Sequence, residues 1–156
     1  MSVVLTPAGT RGVKLPLPNG AFAAMSRIFV GLQRMTGGRF KMHGQPLLLL
    51  RTIGARSGEQ RTTMLAQFPE PDGSTVIVGA YAGAAKHPAW YFNLAKHPDQ
   101  VYIERGGQLV RVRPQSLSGE ERERVWQRIV ATAPNFAEYQ RSTDRQLPVV
   151  RLTPIS

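Results

Sequence analysis

The sequence predicts an α+β domain built on one antiparallel sheet that curls into a small barrel, with helices at its periphery. Three observations carry this. Strand-like runs cluster, from Leu47 to Ala80 and from Gln100 to Leu117, instead of alternating with helices. Tight turns rich in Gly, Pro and Asp join them, as in "GARSGEQ", "PEPDG" and "ERGGQ". Helical periodicity falls before, between and after the clusters.

Each element follows in order. The first 20 residues are rich in Pro, Gly and Thr and read as an extended or flexible arm, ahead of a single domain over residues 21–156. A helix then runs through "AFAAMSRIFVGLQRMTG", and Gly37-Gly38 stops it. Its residues Phe22, Met25, Ile28, Phe29, Leu32 and Met35 recur at spacings of three and four. That stripe either packs on the core or forms an amphipathic helix that touches a membrane or covers a ligand pocket. Leu47 to Ile53 is a buried strand, Arg61 to Phe68 a second, and Ser74 to Ala80 a third.

The segment "KHPAWYFNLAKHP" is a short helix between two different signals. Pro88 suits a first helical turn, where a missing N–H loses nothing. Lys96 and His97 place cations at the carboxyl end, and Pro98 stops it. "QVYIERGGQLVRVRPQSL" is a hairpin whose Gly106-Gly107 pair supplies the positive φ of a two-residue turn. Ser118 with Glu121 three residues later reads as a capping box opening the next helix. "NFAEYQRSTDR" is a shorter helix and "LPVVRLTP" the last strand.

Composition excludes several functions. A chain of 156 residues can bury a core without staples, and with no cysteine it has no disulfide, zinc-thiolate or thiol nucleophile. No apolar run approaches the roughly 20 residues of a membrane span, and Met1 to Gly20 has no signal-peptide core. A cytoplasmic protein is the natural expectation. Twenty basic residues against ten acidic ones give a formal charge of +10. The arginines are scattered rather than clustered, which argues against nucleic acid and leaves an anionic ligand or a membrane surface. His87 and His97 sit at opposite ends of one helix with no acidic cluster beside them, so no metal site is expected. The G-x-S-x-G elbow, the Walker loop and G-x-G-x-x-G are all absent.

Two turns stand out chemically. "GAYAGAAKHP" is lined with small residues, which admit a flat ligand close to the backbone or simply make a tight strand-to-helix connection. "GARSGEQR" sets Arg56 and Arg61 either side of Ser57 and Gly58, as an anion clamp or as an ordinary exposed hairpin.

Together, "LLLLRTIGARSGEQRTTML", "KHPAWYFNLAKHP" and "STDRQLPVVRL" resemble the deazaflavin-dependent nitroreductase family of actinobacteria, a branch of the split-barrel flavin-binding fold. The resemblance covers roughly Pro46 to Pro154. It implies an antiparallel split β-barrel and an oxidoreductase that uses coenzyme F-420, a deazaflavin with a phosphate and an oligoglutamate tail. It implies that Arg56 and Arg61, with the N–H groups of Ser57 and Gly58, hold the phosphate and near tail. Val78, Gly79, Ala80 and Tyr81 would lie along the ring, Lys86 would add positive potential, and Ala89 and Trp90 would pack against the ring or wall the pocket. Tyr139 would border the substrate as a general acid or as lining. The acceptor implied is a small conjugated molecule: a quinone, an enone or a nitro compound. The nitroreductase pattern has a serine near Ala80, a lysine near Tyr81, and tyrosines where this chain has Ala133 and Phe136, so the substrate side departs from it. A carrier of F-420 without turnover and an FMN-dependent split-barrel enzyme are the alternatives, and a peripheral membrane contact would run through the N-terminal helix.

Overall fold

A computed structural model describes residues 3–14, 27–28, 30–35, 41–42, 45–105 and 107–155. Its strands are β1 (Lys41–Met42), β2 (Gln45–Ile53), β3 (Gln60–Ala66), β4 (Phe68–Pro69), β5 (Thr75–Val78), β6 (Tyr102–Arg105), β7 (Gln108–Ser116) and β8 (Val149–Pro154). Three helices follow or separate them: α1 (Ala89–Lys96), α2 (Gly119–Thr132) and α3 (Asn135–Ser142). Residues 27, 28 and 30–35 are also helical.

The sheet is antiparallel in every pairing and runs β1-β2-β6-β7-β8-β5-β4, with β3 on the other side of β2. β7 makes the curl. Its first half pairs with β6, Tyr102 opposite Arg111, and its second half with β8, Val112 opposite Pro154 and Ser116 opposite Val150. The ends of the sheet meet in the chain itself, because only Gln67 separates β3 from β4. Gln67 stitches that seam: its N–H donates to Pro46 O at 2.9 Å, its amide to Leu47 O at 3.3 Å, and Thr75 Oγ1 donates to it at 3.0 Å. The architecture is the α+β split barrel with peripheral helices.

Alternation along the strands divides the apolar residues between two cores. In β5, Ile77 joins Leu48, Leu50, Trp90, Leu94 and Ile103 in one cluster. Val76 and Val78 join Phe68, Val125, Ile129 and Phe136 in the other, beneath α2 and α3. The four leucines of β2 are all buried, as expected of a strand covered on both faces.

Three local expectations change. Pro88 is the cap of α1 rather than its first residue, while Lys96 closes the helix and the N–H of His97 caps it through Asn93 O at 2.9 Å. Ser118 sits at the N-cap of α2 but makes no side-chain capping bond, and the Glu121 carboxylate accepts from Arg151 Nη1 at 2.9 Å. The helical residues 30–35 bury Val30 and Gln33, whose amide donates to Leu47 O at 3.2 Å. The expected apolar stripe faces outward where described: Ile28 is 64 %, Leu32 37 % and Met35 84 % exposed. Phe22, Met25 and Phe29 lie outside the described residues, as do Gly106 of the hairpin turn and Gly37-Gly38.

Residues 3–14 form neither helix nor strand and are bonded to the domain. Tyr91 Oη donates to Val4 O at 2.7 Å, Gly9 N–H to Ala85 O at 2.7 Å, and Val13 N–H to Gly83 O at 3.0 Å. The carboxylate of Asp144 accepts from the N–H groups of Thr10 and Arg11, each at 2.9 Å.

Candidate functional site

The β2–β3 connection folds as a tight basic turn. Gly54 N–H donates to Glu59 O at 2.8 Å and Gly58 N–H to Gly54 O at 2.9 Å. Gly58 has φ 70, which suits glycine there. Arg56, Ser57 and Gly58 are exposed, and so is Arg61, whose Nη2 lies 3.4 Å from Ser57 Oγ and 3.3 Å from Glu59. An exposed pair of this kind is weak and readily exchanged for a better anion.

Asn93 fixes this turn to the rest of the molecule. Its Oδ1 accepts from Ala55 N–H at 2.9 Å, and its Nδ2 donates to Thr52 Oγ1 at 3.1 Å. Asn93 is buried in α1 and lies about 6 Å along the axis from Ala89, the first residue of that helix. So α1 carries the basic turn on its side and the small-residue loop at its amino end. Sequence reading passed over Asn93, although it stands inside the quoted "WYFNL".

The loop between β5 and α1 is strained. Tyr81 and Ala82 have φ of 45 and 54, a region that costs non-glycine residues about 1–2 kcal/mol each. Behind the loop lies Arg145, 3 % exposed. Its Nε donates to Ala84 O at 2.8 Å, Nη1 to Gly79 O at 2.9 Å and Nη2 to Ala80 O at 2.8 Å. Burial lowers its pKa from the ordinary arginine value. Those carbonyls take the place of water around the buried charge. Gly79 must stay small, since a Cβ there would sit 3.1 Å from Pro148 Cδ.

The other expected site residues distribute unevenly. Val78 and Ala80 are buried, and Tyr81 is half-buried with Lys86 Nζ 6.0 Å from its ring centroid. Ala89 is exposed, whereas Trp90 is 4 % exposed and belongs to the first core cluster. Tyr139, half-buried in α3, stacks edge-on against Phe136 at 5.6 Å, and its carbonyl is 3.1 Å from where a Cβ on Gly83 would be. The loop and Tyr139 are therefore neighbours. Two shallow depressions run along α2, one lined by Glu120, Glu123, Arg124 and Gln127, away from the basic turn.

Comparison with known proteins decides the family. The profile of the family described as "F420H(2)-dependent quinone reductase" matches residues 25–154. The chain belongs to this family. A relative named as such a quinone reductase in Mycobacterium tuberculosis is 35 % identical over 134 residues, covering 81 % of this chain and 88 % of the relative. A second, putative one from the same species is 33 % identical over 109 residues, covering 70 % and 90 %. The solved F420-H2 dependent reductase called FDR-A is 38 % identical, with a TM-score of 0.61 over 69 % of this chain and 93 % of that one.

The chain is thus an oxidoreductase of a family whose cofactor is coenzyme F-420. The residues present fit such a group. Two exposed guanidiniums suit a phosphate and carboxylates, and a loop of small residues admits a planar ring. Ala133 and Phe136, where the nitroreductase pattern has tyrosines, are both buried in the second core, with Phe136 edge-on to Phe68 at 5.4 Å. Those positions pack the quinone reductase against α2 instead of offering hydroxyls.

Proposed function

We propose that this chain binds reduced F-420 between the basic turn and the β5–α1 loop and passes its hydride to a quinone-type acceptor. The single observation that carries the reading is Asn93, which ties the turn of Arg56 and Arg61 to the helix that the loop feeds. Bound there, the reduced deazaflavin supplies a hydride from C5, and with one proton a quinone becomes a hydroquinone. Arg56, Arg61 and the N–H group of Ser57 hold the phosphate and near tail, while the Gly58 N–H is spent on Gly54 O and shapes the turn. Val78, Gly79, Ala80 and Tyr81 lie along the ring, Lys86 adds positive potential, and Ala89 stands at the helix entrance. Trp90 supports this wall from the core. Tyr139, beside the loop, lines the acceptor side and delivers the proton as general acid, in parallel with solvent.

The test is a titration of the purified protein with reduced F-420, oxidised F-420 and FMN, followed by menadione and the cofactor's absorbance. Binding of F-420 with oxidation on adding menadione is expected. Binding without oxidation favours a carrier, and binding of FMN alone overturns the reading.

A second reading rests on the exposed Ile28, Leu32 and Met35, on one side of a helix whose Arg27 is also exposed. In a chain of charge +10 this is the pattern of a peripheral helix on an anionic membrane, consistent with a lipid-dissolved quinone as acceptor. No helix among the described residues is long and apolar enough to cross a membrane. Flotation with anionic vesicles, using the whole chain and an Ile28→Ser/Met35→Ser variant, checks it: both staying in the lower fraction would sink the membrane contact.

A further inference from the structure

Among the described residues, Arg145 is a buried charge whose acceptors are three backbone carbonyls and one imidazole nitrogen, with no carboxylate among them. That choice of partners has a directional consequence. In a trans peptide the C=O and the next N–H point opposite ways, and the chain has no cis peptide bond among its described residues. Drawing Gly79 O and Ala80 O onto the guanidinium therefore turns the N–H groups of Ala80 and Tyr81 away from it. Each peptide then lies with its oxygen on a cation and its hydrogen outward, a polarised donor.

The loop cannot reach this arrangement at no cost. Tyr81 and Ala82 are held at positive φ, and Gly83 follows at φ 81, where a Cβ would meet Ser142 Cβ at 2.9 Å. Such strain persists only where the surroundings over-determine it. Here the surroundings are Arg145 and the N-terminal arm, in which Val13 N–H holds Gly83 O at 3.0 Å and Gly9 N–H holds Ala85 O at 2.7 Å.

We infer that Arg145 is the positioning residue for hydride transfer. It aims the N–H groups of Ala80 and Tyr81 at the oxygen-bearing edge of the deazaflavin, where two preset donors fix the orientation of the ring. The inference rests on the reading that the β5–α1 loop borders the ring.

The experiment compares two probes, F-420 and its chromophore lacking the phosphate and glutamates. Their Kd values are measured by fluorescence on the unaltered protein, Arg145→Met, Arg145→Lys and Arg56→Ala/Arg61→Ala, with Tm recorded for each. Arg145→Met should weaken both probes by one common factor of roughly tenfold or more, with Arg145→Lys in between. The double variant should weaken F-420 alone. A merely structural role would lower Tm and the active fraction while leaving the Kd of the folded molecules unchanged, and that result overturns the inference. If the unaltered protein binds F-420 but not the tail-less chromophore, the ring-loop reading itself fails and the inference with it. Should neither Arg145 variant fold, amide exchange on the unaltered protein decides: saturation with chromophore should slow exchange at Ala80 and Tyr81, and unchanged exchange overturns the inference.

Discussion

Arg145 Nη1 lies 3.2 Å from His87 Nδ1, and that contact fixes the protonation of the imidazole. A guanidinium only donates, so Nδ1 must be the acceptor and the proton sits on Nε2. Nε2–H then donates to Thr6 O at 2.8 Å, with Pro7 O at 3.2 Å. His87, in its neutral form, is one of the links between the β5–α1 loop and the N-terminal arm.

This gives a pH dependence with a definite sign. Burial, and the neighbouring Arg145 charge, lower the His87 pKa, against the pull of the Thr6 and Pro7 carbonyls. In the unfolded chain the imidazole takes its proton near its ordinary value of about 6.5; in the folded chain it does so at lower pH. The unfolded state therefore binds more protons in that window, and stability drops as pH falls from about 6.5 through the folded value. Thermal melts should show this slope in the unaltered protein, and His87→Gln should flatten it. Identical slopes would mean His87 does not titrate against folding.

The arm should detach when it cannot pass close to the loop. A Cβ on Gly12 would lie 2.6 Å from Ala84 C and 2.8 Å from Gly83 O, backbone atoms that cannot yield. Gly12→Ala is expected to cost about 1–3 kcal/mol and to expose residues 3–14 to limited proteolysis. Asp144→Asn should loosen the same segment. The Asp144 carboxyl is lowered to about 2 by the Thr10 hydroxyl and the Arg11 and Thr10 N–H groups, so its hold is lost only as pH falls from near 3.8 through that value. An arm as protected in Gly12→Ala as in the unaltered protein would refute the strap.

Ala82→Gly should stabilise the fold, against the usual direction of a glycine substitution. Ala82 is exposed at φ 54, so nothing is lost in packing and the left-handed strain is relieved. The expected gain is about 0.5–1 kcal/mol after the entropy of glycine is deducted. A denaturant midpoint below that of the unaltered protein would show the turn is unstrained.

Arg56→Ala and Arg61→Ala should each weaken F-420 binding, roughly tenfold at low salt. The loss should shrink as ionic strength rises, since the Debye length falls to about 8 Å at physiological salt. No loss in either variant, or a loss that salt leaves unchanged, would place the tail elsewhere.

Asn93→Ala leaves the Ala55 N–H and the buried Thr52 hydroxyl without their partner, a cost of about 1–3 kcal/mol. The basic turn should then be freed from α1, so F-420 affinity falls more than that of the tail-less chromophore. Equal losses for both probes would separate the turn from the tail.

Much of this chain was legible because the signals are local. The buried run in β2, Gly107 at φ 81 in the β6–β7 hairpin, and Pro88 and Pro98 bounding α1 are each decided by neighbours in sequence. The motifs of the basic turn and of α1 were enough to suggest the family. Reading stopped where a side chain had two claimants. Glu121 could have closed a capping box, yet Arg151, thirty residues away, takes it. The helical residues Ile28, Leu32 and Met35 belong to an apolar stripe, but Val30 and Gln33 reach the core.

Sequence by itself determined the antiparallel sheet curled into a small barrel, the basic turn and the small-residue loop, because strand alternation and turn chemistry act over a few residues. Only the tertiary structure decided what holds that loop. Arg145 finds its carbonyls 61 to 66 residues earlier, and Thr143 and Asp144 reach the arm more than 130 residues away. A buried charge must be met by whatever polar groups the fold brings to it, and no spacing along the chain records which those are.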